Sequence, residues 1–148
     1  MNDIAAIVLS AMFSISVLPN ASLTPGSVRD LTHSRICNTK WQLRAAPIID
    51  ERYVPVSMKK RVAKTYNLDW NDRSLVEFDH LIPRCLGGAD TDANLWPQKL
   101  EGPWGAYVKD KLERKVCKMV CNGDLDLKET QQLMATNWVS LYRRVYGG

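Results

Sequence analysis

The stretch EFDHLIPRCLGGADTDANLWPQ, Glu77 to Gln98, leaves this chain few ways to fold. Leu75-Val76-Glu77-Phe78 reads as a strand, and Leu81-Ile82-Pro83 ends it, because proline has no N–H to give a ladder. Gly87-Gly88 and the run Ala89 to Ala93 make a wide polar turn, and Asn94-Leu95-Trp96-Pro97 returns as a short apolar segment. The expected unit is therefore strand, long loop, returning strand. It carries His80, one of only two histidines, directly after Asp79. A carboxylate suited to a hard cation and a nitrogen base thus stand side by side.

Helices are expected on both sides of this unit. Ser57 is the expected N-cap of a helix through Tyr66, with Met58, Val62 and Tyr66 on one face and Lys59, Lys60, Arg61 and Lys64 on others. Pro103-Trp104 reads as the entry to a helix reaching about Cys121 and closed by Asn122-Gly123. Val108, Leu112, Val116, Met119 and Val120 form its apolar stripe, while Lys109, Lys111, Arg114, Lys115 and Lys118 lie mostly off it. Asp126-Leu127-Lys128-Glu129 then reads as a capping box for a last helix to Tyr146. The fold class that follows is α+β with very little sheet.

At 148 residues the chain holds one domain, expected over 22–148. Residues 1–21 form an apolar leader: Ile4 to Leu18 is uncharged, too short to span a membrane, and followed by small residues that suit cleavage near Ala21. Asp3 and the lack of lysine or arginine ahead of that run, with Pro19 near the cut, run against a signal peptide; an apolar N-terminal helix is the other reading. Cleavage would remove only Asp3 among the charges and raise the net charge from +4 to +5. No stable membrane insertion of the mature domain is expected. The four cysteines, none in a C-x-x-C, favour two disulfides in an exported chain. Cys117 and Cys121 share one helix face and each reaches elsewhere, so Cys37 and Cys85 are the partners in either order.

The motifs D-H-L-I-P, L-G-G, N-L-W-P-Q and K-D-K-L-E, in order and closely spaced, resemble a bacterial branch of the HNH, or ββα-metal (His-Me finger), endonucleases. The likeness runs from about Leu23 to Tyr146. It implies a small ββα-metal core with additional packing helices. It also implies His80 as general base, Asp79 as metal ligand, Asn94 as the residue that fixes the loop and His80, and a divalent cofactor, Mg²⁺. Relatives of this branch read W-N-A-x-x-K-D at the helix start, where the asparagine is a second metal ligand. This chain has Trp104-Gly105-Ala106-Tyr107-Val108-Lys109-Asp110, so Asp110 is the carboxylate available in its place, and Gly105→Asn would be expected to complete the site and firm the helix start.

The chemistry fits these residues. Phosphodiester hydrolysis needs an activated water, neutralised transition-state charge and a stabilised leaving oxygen. Position and charge make Lys109, Lys111 and Arg114 candidate phosphate contacts. A mild positive charge suits a nucleic-acid partner, DNA before RNA. The expectation is an exported, metal-dependent endonuclease. A nucleic-acid-binding protein that has lost efficient cleavage and a disulfide-stapled secreted interaction module are the alternatives.

Overall fold

A computed structural model describes residues 17–37 and 54–147. Most of the expected leader, residues 1–16, lies outside the described residues, as does the stretch 38–53 of the lead-in arm. The described elements run, in order, α1 (His33–Ile36), α2 (Val56–Thr65), β1 (Val76–His80), β2 (Leu95–Lys99), α3 (Ala106–Asn122) and α4 (Leu127–Tyr146). Short 3₁₀ turns lie at Trp70–Leu75, Arg84–Leu86 and Asp92–Asn94. The class is α+β with one two-stranded antiparallel sheet.

The sheet pairs Glu77 with Gln98, Phe78 with Pro97, Asp79 with Trp96 and His80 with Leu95. Side chains alternate along a strand and directly opposed residues share a face. Glu77, Asp79, Trp96 and Gln98 therefore form one face, and Val76, Phe78, His80 and Leu95 the other. Val76, Phe78 and Leu95 of the second face pack on Met58, Val62 and Ala63 of α2. Pro97 is tolerated because each strand of a two-stranded sheet has an edge. Strand β1 runs on through His80, and the loop between the strands is drawn tight at Gly88, where an added Cβ would lie 1.8 Å from the Ile82 carbonyl oxygen.

Helix α2 starts two residues earlier than the Ser57 cap implies. Pro55, with φ −69° and ψ 160°, is the N-cap, and Ser57 falls within the first turn. A proline pre-sets the entry φ without needing a side-chain hydrogen bond. Helices α3 and α4 pack through Leu112, Val116, Val120, Met134, Trp138 and Leu141. The N-cap half of the capping box forms, Asp126 Oδ1 accepting from the Glu129 N–H at 2.8 Å, while the Glu129 carboxylate meets Arg144. The lead-in wraps the domain as far as it is described, with Gly26 N–H donating to Ala93 O and Arg29 N–H to Gly87 O. Trp138 Nε1 donates to Val17 O, and Leu18 packs on the α3–α4 core. Among the described residues no helix is long and apolar enough to cross a membrane.

Two disulfides tie these layers together. Cys37 pairs with Cys121 and Cys85 with Cys117, so the two cysteines of α3 reach separate partners, as their shared helix face requires. His33 sits beside the first bridge and donates from Nε2 to Val120 O at 2.8 Å, a structural role. The bridges close loops of 84 and 32 residues and imply an oxidising environment. Denatured, unreduced protein is expected to titrate no thiols. Reduction should lower the melting temperature markedly, each bridge contributing roughly 2–4 kcal/mol. Free thiols in the unreduced protein would contradict both pairings.

Candidate functional site

Asp79 and His80 are successive strand residues, so their side chains leave β1 on opposite faces. His80 turns to the loop, where its Nε2 meets Asp90 Oδ1 at 2.7 Å; Arg84 Nε approaches the same oxygen at 3.3 Å. The imidazole is 7% exposed. Asn94 is fully buried and clamps the two ends of the loop. Its Oδ1 accepts from Ile82 N–H at 3.0 Å, and its Nδ2 donates to Ile82 O at 2.9 Å and Ala89 O at 3.1 Å. Asn94 thus fixes the loop, while Asp90 is the loop side chain hydrogen-bonded to His80.

Asp79 faces α3. Its Oδ2 accepts from Lys109 Nζ at 2.7 Å; the same ammonium donates to His80 O at 2.7 Å and to Glu113. Three donors meet three acceptors, which satisfies an ammonium. Lys109 is fully buried. This corrects the expectation that it lies off the buried stripe and meets phosphate. A lysine out of contact with water and saturated by carboxylates cannot also bind a polymer at the surface. Lys111 and Arg114, on the same helix, are exposed and remain candidates.

Burial alone would lower the Lys109 pKa, but the Asp79 and Glu113 charges overcome it and hold the group above its ordinary value. Burial also raises Glu113, with Lys109 opposing the rise. Asp110 is raised as well, first by burial and then by the Asp79 charge, against Lys109 and Arg114. Burial is the largest influence on all three groups, and the mutual charges of the carboxylates and the one buried ammonium act on top of it. Glu77, Asp79 and Asp110 each offer an oxygen within 4.8 Å of the others. The fold thereby brings together the two expected metal residues, Asp79 and Asp110, and adds Glu77. An all-oxygen donor set fits a hard divalent ion such as Mg²⁺, although Lys109 already engages one Asp79 oxygen.

Gly105 is the N-cap of α3, with φ −77° and ψ 179°, a backbone any residue adopts. The constraint on it is space. An added Cβ would lie 2.6 Å from the carbonyl oxygens of both Leu100 and Glu101. This corrects the expectation that asparagine here firms the helix start. Gly105→Asn should instead destabilise the fold by about 1–3 kcal/mol through overcrowding. A lowered urea midpoint with no gain in Mg²⁺ dependence is the expected result, and an unchanged or higher midpoint would contradict it.

Glu77, Asp90 and Glu113 escaped the sequence reading. Glu77 stands two residues before Asp79, the period that puts both on one strand face. Glu113 stands four after Lys109, the spacing of a helical ion pair. Asp90 gave no signal beyond its turn propensity. No protein-family model matches the chain, and comparison with curated proteins and with solved structures finds no match either.

Proposed function

We propose that the protein is a metal-dependent endonuclease built on a ββα-metal core of β1, β2 and α3. The observation that best supports this is the convergence of Glu77, Asp79 and Asp110 within 4.8 Å. In this reading the three carboxylates hold Mg²⁺. The ion would supply charge neutralisation at the phosphate and stabilisation of the leaving oxygen. His80 takes the proton from the attacking water. Asp90, as acceptor from Nε2–H, sets the tautomer that leaves Nδ1 as the basic nitrogen. Asn94 holds the loop so that this pair keeps its geometry. Lys111 and Arg114 contact phosphates, and the two disulfides suit an exported enzyme.

Two contacts favour a second reading, nucleic-acid binding with cleavage lost. The Lys109 ammonium holds one Asp79 oxygen, and the His80 ring is buried against Asp90. The deciding experiment incubates purified protein with plasmid DNA and with RNA, in Mg²⁺ or in EDTA. Cleavage in Mg²⁺ that stops in EDTA is expected. Salt-sensitive binding without cleavage would establish the second reading, and neither binding nor cleavage would leave the disulfide-stapled interaction module.

A further inference from the structure

Three aromatic rings lie in a row where the entry of α3 meets the end of α4. Trp104 stands edge-on to Tyr142 with centroids 5.5 Å apart, and Tyr142 stacks at a tilt on Tyr146 at 4.6 Å. All three are half-buried. The row is held from both sides: Trp104 also meets the core through Trp138, and the Tyr146 hydroxyl donates to Lys111 O at 3.1 Å. The rings are therefore a fixed surface feature.

Cations gather on this row. Lys111 Nζ is 4.7 Å and Lys115 Nζ 5.4 Å from the Tyr146 centroid, and Arg143 Cζ is 5.6 Å from that of Trp104. None of the three forms an ion pair among the described residues. A fully ion-paired surface would need no outside anion. Here three exposed charges are kept together only by ring faces, which neutralise nothing. Lys111 is also the sequence neighbour of Asp110 in the acidic cluster.

We infer that the Trp104–Tyr142–Tyr146 row, with Lys111, Lys115 and Arg143, is a binding surface for single-stranded nucleic acid. Phosphates meet the three cations, and unstacked bases lie on the aromatic rings. An aromatic row with charge at both ends suits a flexible strand, which exposes base faces, whereas a duplex buries them in its own stack. The surface rests on the endonuclease reading only in that both take nucleic acid as partner; it does not require cleavage.

The test is fluorescence anisotropy of a labelled oligothymidine of about 12 nucleotides, a length within the usual span of such surfaces, in EDTA so that cleavage does not intervene. The triple variant Lys111→Gln/Lys115→Gln/Arg143→Gln removes three phosphate contacts. The slope of log K against log salt should flatten by about 2, at about 0.7 per contact on a single strand. Tyr146→Ala should weaken binding about 5- to 150-fold, the equivalent of one stacked base. Lys111→Arg/Lys115→Arg/Arg143→Lys should restore the slope if charge is what matters, and circular dichroism checks that each variant is folded. An unchanged slope in the triple glutamine variant overturns the proposal. So does an equal flattening from Lys59→Gln/Lys60→Gln/Lys64→Gln on α2, since binding would then follow net charge alone. A preference for duplex, or for anionic phospholipid vesicles, over the single strand also overturns it. If the wild type binds but does not cut, the endonuclease reading fails and this one stands; if it cuts while the variant binds unchanged, the reverse holds.

Discussion

His80→Ala is expected to lower Mg²⁺-dependent cleavage by about 10²–10⁴-fold, the usual contribution of a positioned general base. The loss should fall on kcat, because the imidazole acts on a proton that moves only in the transition state. Oligonucleotide affinity in EDTA should hardly change, since His80 is buried and the exposed cations lie on other elements. The geometry makes this a fair test of chemistry. Asp90 retains Arg84 at 3.3 Å when the imidazole is gone, so the substitution strands no carboxylate, and the Asn94 clamp on Ile82 and Ala89 does not involve the His80 ring. The informative measurement is single-turnover cleavage beside a thermal melt of the same sample. Undiminished cutting by a folded variant would remove His80 from the mechanism. Asp90→Asn supplies a second check: it should cost less than His80→Ala, because it weakens the orientation of the base without removing it.

What the sequence disclosed was local. Helix α4 could be read from Asp126, because an N-cap is complete within four residues, and the end of α3 from Asn122-Gly123 for the same reason. The polar turn between Pro83 and Asn94 announced two strands around it. The disulfide pairing was legible only to the point where helix geometry decides: Cys117 and Cys121 could be separated, but which of them takes Cys37 depends on how α1 meets α3. Gly105 misled because its role is set by the Leu100 and Glu101 carbonyls folding back on it, a tertiary contact. Lys109 is the instructive miss. It stands three residues before Leu112 and seven before Val116, on the very stripe that was read as buried. Composition put it outside, since an unpaired lysine is almost never buried; its partner Asp79 is 30 residues away.

Lys109→Met should be strongly damaging, costing about 3–5 kcal/mol, the usual penalty for removing one member of a buried ion cluster. Methionine fills the aliphatic volume, so the cost is electrostatic and arises from what remains. The Asp79 carboxylate, next to Glu77 and Asp110, and the Glu113 carboxylate both lose their shared counter-charge. His80 O also loses its donor, which loosens the end of β1. The pH dependence has a definite sign. Lys109 is held above its ordinary pKa, so its contribution is complete at neutral pH and is lost only in strong alkali. Glu113 is already raised by burial and rises further without Lys109. An acid with a raised folded pKa favours the fold while protonated and ceases to as pH climbs through that value. The variant's deficit should therefore shrink toward about pH 4, where carboxylates take up protons. It should keep growing as pH climbs past about 8, where Glu113 ionises beside Lys109 in the wild type but is still protonated in the variant. Urea midpoints across that range measure it directly. Adding Glu113→Gln to Lys109→Met should recover part of the loss at high pH, since it removes one stranded charge, whereas Lys109→Arg should not rescue fully because a planar guanidinium does not fit a pocket built around a point charge. A Lys109→Met midpoint equal to wild type at every pH would mean that the ammonium does not hold β1 to α3.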